Sequence, residues 1–301
     1  MTTRIRTTVA AIAVAAAVTG TALLGASGAA SAATGHGTLT ISNGTRYVLI
    51  NGHQVDFRVP VRDLAWSPNG AKAAFIDGTG NLDVANPDGS GRVVVAKNPG
   101  NQNWSHPTWQ VTPAGNPDGV PAKDNLIFAA RAGGVSRLKY VSAKAVHGTP
   151  KTLPLWSEVG PGVPALPQTG NVWPNAADHY GTSVYANTDT GAVYIRDDYT
   201  RQQGYKLTKG SQPALSPNEE EVVFVRSVAG HDHLFVEGLG QDSRIKDLTP
   251  HATTDYTEPA WSPDGRTLAA RTPSGTVTLA SNGTGHPTKV TTEKGLAAYR
   301  P

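Results

Sequence analysis

Trp66-Ser67-Pro68-Asn69-Gly70 recurs as Trp261-Ser262-Pro263-Asp264-Gly265 and, more loosely, as Leu215-Ser216-Pro217-Asn218. Connections such as Pro87-Asp88-Gly89 and Asn282-Gly283 carry turn chemistry, in which Gly supplies the positive φ that the turn requires. Each copy precedes a short apolar run, namely Ala73-Ala74-Phe75-Ile76, Leu268-Ala269-Ala270 and Val222-Val223-Phe224-Val225. Two further blocks match without the motif, at Leu126-Ile127-Phe128 and Ser183-Val184-Tyr185. A second run of strand type follows in every block, from Leu82-Asp83-Val84 in the first to Val277-Thr278-Leu279 in the last. Short strands at regular spacing, with no sustained 3.6-residue apolar period, predict an all-β meander.

A Pro, then Trp-Ser-Pro-Asp-Gly, then two successive strands resembles the repeat of TolB-like (WD40-like) propellers. The resemblance is good over 64–97 and 259–292, fair over 213–249 and degenerate over 107–153 and 174–208. It implies a propeller of four-stranded antiparallel blades and reports blade construction only. TolB proteins carry an additional N-terminal α/β domain and work in the periplasm with lipoprotein partners; no stretch of this sequence reads as that domain, so their partner is not carried over.

The position of the repeat's first proline falls at Leu64, Pro107, Pro174, Pro213, Pro259 and Pro301, which predicts six blades. A five-bladed ring with a loose N-terminal hairpin is the competing reading. A ring needs its ends joined to protect strand edges. Thr38–Ser42, Arg46–Ile50 and Gln54–Val59 are strand-like runs separated by Asn43-Gly44 and Asn51-Gly52, a strong hairpin signal. They are expected to complete a last blade whose inner strand is Leu296–Tyr299.

Residues 1–32 read as a signal peptide rather than fold, with Arg4 and Arg6, an apolar run from Val9 to Leu24, and Ala30-Ser31-Ala32 before cleavage. The propeller domain is then 33–301, secreted or extracytoplasmic, with no stable membrane anchor. The chain holds no cysteine, so neither a lipid-modified cysteine nor a disulfide framework is possible. The net charge is +3, and two of its cations lie in the signal segment. That balance predicts no nucleic-acid partner, because a polyanion-binding surface shows as a basic excess. A monomer is expected.

Residues just before the repeat's proline sit where inner strands start. Asp63, His106, Trp173, Gln212, Glu258 and Arg300 are therefore predicted to converge on the channel mouth, as a small-molecule or peptide-terminus site or simply as wet strand ends. The longest interval, Pro107 to Pro174, carries Pro-rich 154–171 with Trp156, either a flap beside that mouth or a cover on the side of a blade. Trp66, Trp109 and Trp261 share one repeat position and are expected between blades. Trp104, Trp156 and Trp173 break the repeat and are the tryptophans free to meet a partner.

No Gly-x-Ser-x-Gly follows the signal segment, and no P-loop, His-Glu-x-x-His or dinucleotide fingerprint occurs. No catalytic residue or cofactor is assigned. His231 and His233 point the same way on a strand and could share a metal ion, but no third ligand is evident and an exposed polar hairpin is the preferred reading. The functional expectation is a non-catalytic binder of a protein or peptide through the channel-mouth face. The alternative is a secreted enzyme of glycoside hydrolase or lyase type, using acids such as Asp63 and Glu258.

Overall fold

The structure is a computed structural model that describes residues 37–116, 119–157, 162–177, 180–197, 203–240 and 243–301. The expected signal segment lies outside the described residues. All regular elements among those described are strands, arranged as six sheets.

Blade 1 is Arg62–Trp66, Ala73–Ile76, Leu82–Ala85 and Val93–Ala96. Blade 2 is Asn103–Thr112, Lys123–Ala132, Val135–Ser142 and Lys151–Thr152. Blade 3 is Asn171–Ala176, Ser183–Asn187, Ala192–Arg196 and Gln203–Lys209, with Trp156–Ser157 added in parallel along its outer edge. Blade 4 runs from Ser211–Leu215 to Ile245–Asp247, and blade 5 from Thr257–Trp261 to Thr288–Thr291. Blade 6 takes its inner strand, Leu296–Arg300, from the C-terminal end and its outer three, Thr38–Ser42, Tyr47–Ile50 and His53–Asp56, from the N-terminal end. The six-bladed reading and its seam are thus present, and the five-bladed alternative is not.

The Ser-Pro-Asn/Asp-Gly motif closes the turn after the inner strand. Ser262 Oγ donates to Asp264 Oδ1 at 2.7 Å and accepts the Thr267 amide at 2.9 Å; Ser67 and Ser216 repeat the arrangement with Asn69 and Asn218. Gly70 and Gly265 supply φ of 64° and 69°, and in the loose copy Glu219 holds φ 57° without the help of a glycine. In blade 6, Asn51 and Gly52 both have positive φ, as a two-residue hairpin turn requires. The third strand there stops at Asp56, earlier than the sequence suggests. Asp56 Oδ1 accepts the Arg58 amide, and Arg58 turns to φ 66°.

The core lies between neighbouring blades rather than within one. Ile76, Val95, Trp109 and Phe128 join blades 1 and 2, Ile127, Leu138, Tyr185 and Tyr194 join 2 and 3, and Val223, Leu234, Trp261 and Leu268 join 4 and 5. The repeated tryptophans also bond across these interfaces: Trp109 Nε1 donates to Ala65 O and Trp261 Nε1 to Ala214 O. At the seam Trp66 Nε1 donates instead to Thr40 Oγ1, which donates to Ala298 O, so a hydroxyl relays the contact.

Candidate binding site at the channel mouth

In blades 1 to 5 the inner strand slips register at its start, between Arg62 and Ala65, Ser105 and Thr108, Val172 and Asn175, Ser211 and Ala214, and Thr257 and Ala260. The residue before the proline position sits in each bulge. Asp63, His106, Trp173, Gln212 and Glu258 all have φ between 48° and 57°. That region is costly for any residue with a Cβ and is where glycine is normally placed. The chain uses five large polar or aromatic side chains there instead.

Several of these side chains tie the ring together. Asp63 Oδ2 accepts the His106 amide at 3.1 Å, and Gln212 Oε1 accepts the Glu258 amide at 2.6 Å. Trp173 Nε1 donates to His106 Nε2 at 2.5 Å, the two rings meeting edge-on at 5.5 Å between centroids. Glu258 Oε1 takes the guanidinium of Arg271 at 3.0 Å, and Arg62 lies 3.9 Å from Asp63. His106 Nδ1 and Glu258 Oε2 are shielded from solvent and have no hydrogen-bond partner among the described residues. Burial holds the His106 imidazole below its usual range; Asp63 is the next strongest influence and opposes it, and Arg62 and Arg271 add smaller pushes downward. Burial, reinforced by Asp63, pushes the Glu258 carboxyl up, while Arg271 opposes.

His106, Trp173, Gln212 and Glu258 line one end of a channel of about 510 Å³. Below them its wall is Pro107, Pro174, Pro213 and Pro259 with small residues such as Ala65 and Ala260, and Pro68, Pro217, Pro263 and Pro301 line it further along.

Arg300 is not part of this ring. Leu296–Arg300 pairs with Ser42–Thr38 without a bulge, and Ala298 takes the place that Ala65 and Ala214 hold toward the next tryptophan. Leu296 is therefore the sixth ring member, and Pro301 matches Pro263 rather than Pro259. Arg300 instead stacks over Trp66 at 5.3 Å and donates to Gly70 O at 2.8 Å, beside the turn at the far end of the inner strand. The sequence register failed here because this strand lacks the extra residues of the bulge.

Trp156 is not at the mouth either. It pairs with Gln203 on the outer edge of blade 3 and is 62% exposed. Leu153, Leu155 and Leu166 are buried between blades 2 and 3, so the described part of 154–171 covers the side of the sheet. Trp104 is buried against Phe128 and spends its N–H on Gln102, which withdraws it from any partner. His231 and His233 do not converge: His231 faces Asp255 at 3.4 Å and His233 faces Asp247 at 2.9 Å. No cluster of three or more metal-ligating side chains occurs among the described residues.

Among solved structures the chain is similar to TolB from Acinetobacter baumannii, with TM-score 0.60 and 16% identity over 88% of this chain and 67% of that one. The fold is a TolB-like β-propeller. A protein assigned as TolB from Agrobacterium tumefaciens gives TM-score 0.56 and 15% identity over 84% of this chain and 87% of that one. No protein-family model and no curated protein sequence matches. At these identities the likeness is one of fold, and the TolB-like propeller's ring chemistry is read from its own residues.

Proposed function

We propose that this TolB-like propeller is a non-catalytic, extracytoplasmic binding module that takes a protein or peptide partner at the channel-mouth face. It acts as a monomer without a membrane anchor and without affinity for nucleic acid. The observation that carries this reading is the occupation of five αL positions by Asp, His, Trp, Gln and Glu, where glycine costs least. Backbone strain held at one rim is a pointer to recognition there. Asp63 and Gln212 are accounted for by bonds between blades, but His106 Nδ1 and Glu258 Oε2 are not.

A second reading, hydrolysis by a carboxyl pair, draws support from the raised Glu258 carboxyl beside Asp63. It is weaker because Asp63 already serves the His106 amide. Both readings are tested by capture from culture fluid on immobilised protein. Wild type should retain a protein or peptide that a His106→Ala, Glu258→Gln variant with the wild-type melting curve releases. Equal retention by both, or turnover of a glycan panel, would overturn the binding reading.

A further inference from the structure

We infer that the cleft between blades 2 and 3 is a second binding site, which takes a short zwitterionic peptide with its carboxylate on Arg131 and its ammonium on Asp189. The cleft opens beside the ring, since its lining residues Ser105 and Val172 immediately precede His106 and Trp173. It shares no lining residue with the channel and so stands apart from the reading of the mouth.

The cleft holds about 550 Å³, and its two walls belong to different blades. On the blade 2 wall Arg131 pairs with Asn103 on one side and Ser136 on the other, so the three form one row on one face of the sheet. Two residues along, the row of Ser105, Ala129 and Leu138 shares that face. Ala129 and Leu138 pack in the core common to blades 2 and 3, so the Arg131 row faces blade 3.

The facing wall includes Thr169, Gly170, Thr188 and Asp189. Buried Asn187 shapes it: Oδ1 accepts the amides of Asp189 and Thr190, and Nδ2 donates to Thr169 O. Gly170, at φ 79°, lets the Asp189 carboxylate lie directly on the backbone, where any Cβ would collide with Oδ2. The Gly170 amide donates to Ser136 O at 2.9 Å, which ties this carboxylate to the residue paired with Arg131. With paired residues about 5 Å apart, the Asp189 carboxylate stands on the order of 10 Å from the Arg131 backbone. A guanidinium and a short ligand fill such a gap.

The polar groups here are open to solvent and uncommitted. Arg131 and Asp189 are exposed, and no ion pair joins them to each other or to any described residue. The Asp189 carboxylate accepts only the Thr188 hydroxyl, at 3.3 Å. The side chains of Asn103, Ser105, Ser136 and Thr169 make no hydrogen bond among the described residues, and none of them holds a polar atom shut off from water.

One cation on one wall and one anion on the other match a molecule charged oppositely at its two ends. Arg131 offers a planar pair of donors to a carboxylate. Asp189 accepts from an ammonium, and the hydroxyls and the Asn103 amide both donate and accept, as a peptide bond between the ends requires. A lone anion would meet Asp189 and a lone cation would meet Arg131. A neutral sugar would leave both without a counter-charge.

Free amino acids carry the same two charges, so the test separates the sources. Full-length protein labelled with nitrogen-15 is titrated at neutral pH and low salt with glycine, diglycine, triglycine, N-acetyldiglycine, diglycinamide and glucose, reading the amides of Ser136, Gly170 and Asp189 by NMR. Diglycine or triglycine is expected to move these amides and to bind at least about tenfold more tightly than either blocked peptide or glucose. Arg131→Gln should erase the preference over diglycinamide, and Asp189→Asn the preference over N-acetyldiglycine, both with the wild-type melting curve. Glycine binding as tightly as the peptides would overturn the peptide in favour of a free amino acid. Equal binding of the blocked peptides or of glucose, or no movement of these amides with any probe, would overturn the site, while the channel mouth is judged separately by the capture experiment.

Discussion

Trp173 donates its indole N–H to Nε2 of His106 at 2.5 Å, a bond between neighbouring blades that fixes the tautomer of the one histidine in the mouth ring. Trp173→Phe keeps most of the ring contact and removes only the donor. The His106 Nε2 acceptor is then left poorly satisfied, which should cost about 1–3 kcal/mol in urea unfolding. The same variant should release the imidazole proton from Nδ1, visible as a change of tautomer in the nitrogen-15 spectrum. An unchanged spectrum would mean that Trp173 does not set the tautomer.

The His106 titration should respond in opposite directions to two of its neighbours. Burial is the main cause of its low basicity, Arg62 and Arg271 add to it, and Asp63 opposes it. Arg271→Gln should therefore raise the midpoint and Asp63→Asn should lower it, both read by NMR across the acid range. Because the folded state holds His106 neutral more strongly than the unfolded chain does, its contribution to stability is complete above the ordinary histidine range. It declines as pH falls through the folded midpoint. Movement of both variants in one direction would contradict the charge arrangement at the mouth.

The extent to which this was legible in the sequence follows from which interactions are local. Trp-Ser-Pro-Asp-Gly is a local device: serine and Asn/Asp close their own turn, so the motif survives as text and marks each blade. The seam was legible because Asn51-Gly52 and the Thr38–Ser42 run carry hairpin and strand chemistry of their own. Five ring members were legible because the bulge keeps a constant offset from the motif, whereas Arg300 was misplaced because the closing strand has no bulge. Trp156 was misread for a different reason. Its parallel pairing with Gln203 joins distant residues and leaves no period in the chain. The partnership of His106 with Trp173, also between distant residues, was likewise invisible as a bond, although both were named as ring members.

Asp83 is fully buried on the third strand of blade 1, with the Arg92 guanidinium at 2.5 Å and one carboxyl oxygen lacking a partner among the described residues. Burial pushes its pKa up from 3.8 to about 6, with Arg92 opposing and Asp77 reinforcing. A carboxyl raised on folding binds its proton more readily in the folded state, so its favourable contribution is present below the unfolded value and lost as pH rises through about 6. Relative to Asp83→Asn, which cannot titrate, wild-type unfolding free energy should fall by about 1–3 kcal/mol between roughly pH 4 and 7. A parallel pair of stability profiles would show that Asp83 stays ionised throughout.

Trp156 at 62% exposure contrasts with Trp66, Trp104, Trp109 and Trp261, all below 9%. Iodide, which reaches only surface indoles, should quench a fraction of the fluorescence that largely disappears in Trp156→Phe. Because Trp156 lies on the blade edge and not in the channel lining, the same substitution should leave binding of a partner captured at the mouth unchanged. A loss of that binding would return residues 154–171 to the role of a flap.

Closure of the ring depends on a hydroxyl that is chemically easy to remove. Thr40 Oγ1 accepts from Trp66 Nε1 at 2.9 Å and donates to Ala298 O at 2.8 Å, linking blade 1 to both chain ends that make blade 6. The other two tryptophans of this repeat position reach a carbonyl directly, so of the three Trp66 alone depends on a side-chain relay. Thr40→Val is nearly isosteric and leaves both the indole N–H and the Ala298 carbonyl short of a partner, at a cost of roughly 1–3 kcal/mol. Thr40→Ser keeps the hydroxyl and should recover most of that loss. The damage should be localised: amide exchange in Thr38–Ser42 and Leu296–Arg300 should speed up before exchange in blades 2 to 4 does, since the lost bonds belong to those strands and opening can be local. Uniform acceleration across all blades would show that the ring opens only as a whole, and unchanged exchange at the seam would show that the relay contributes nothing to closure.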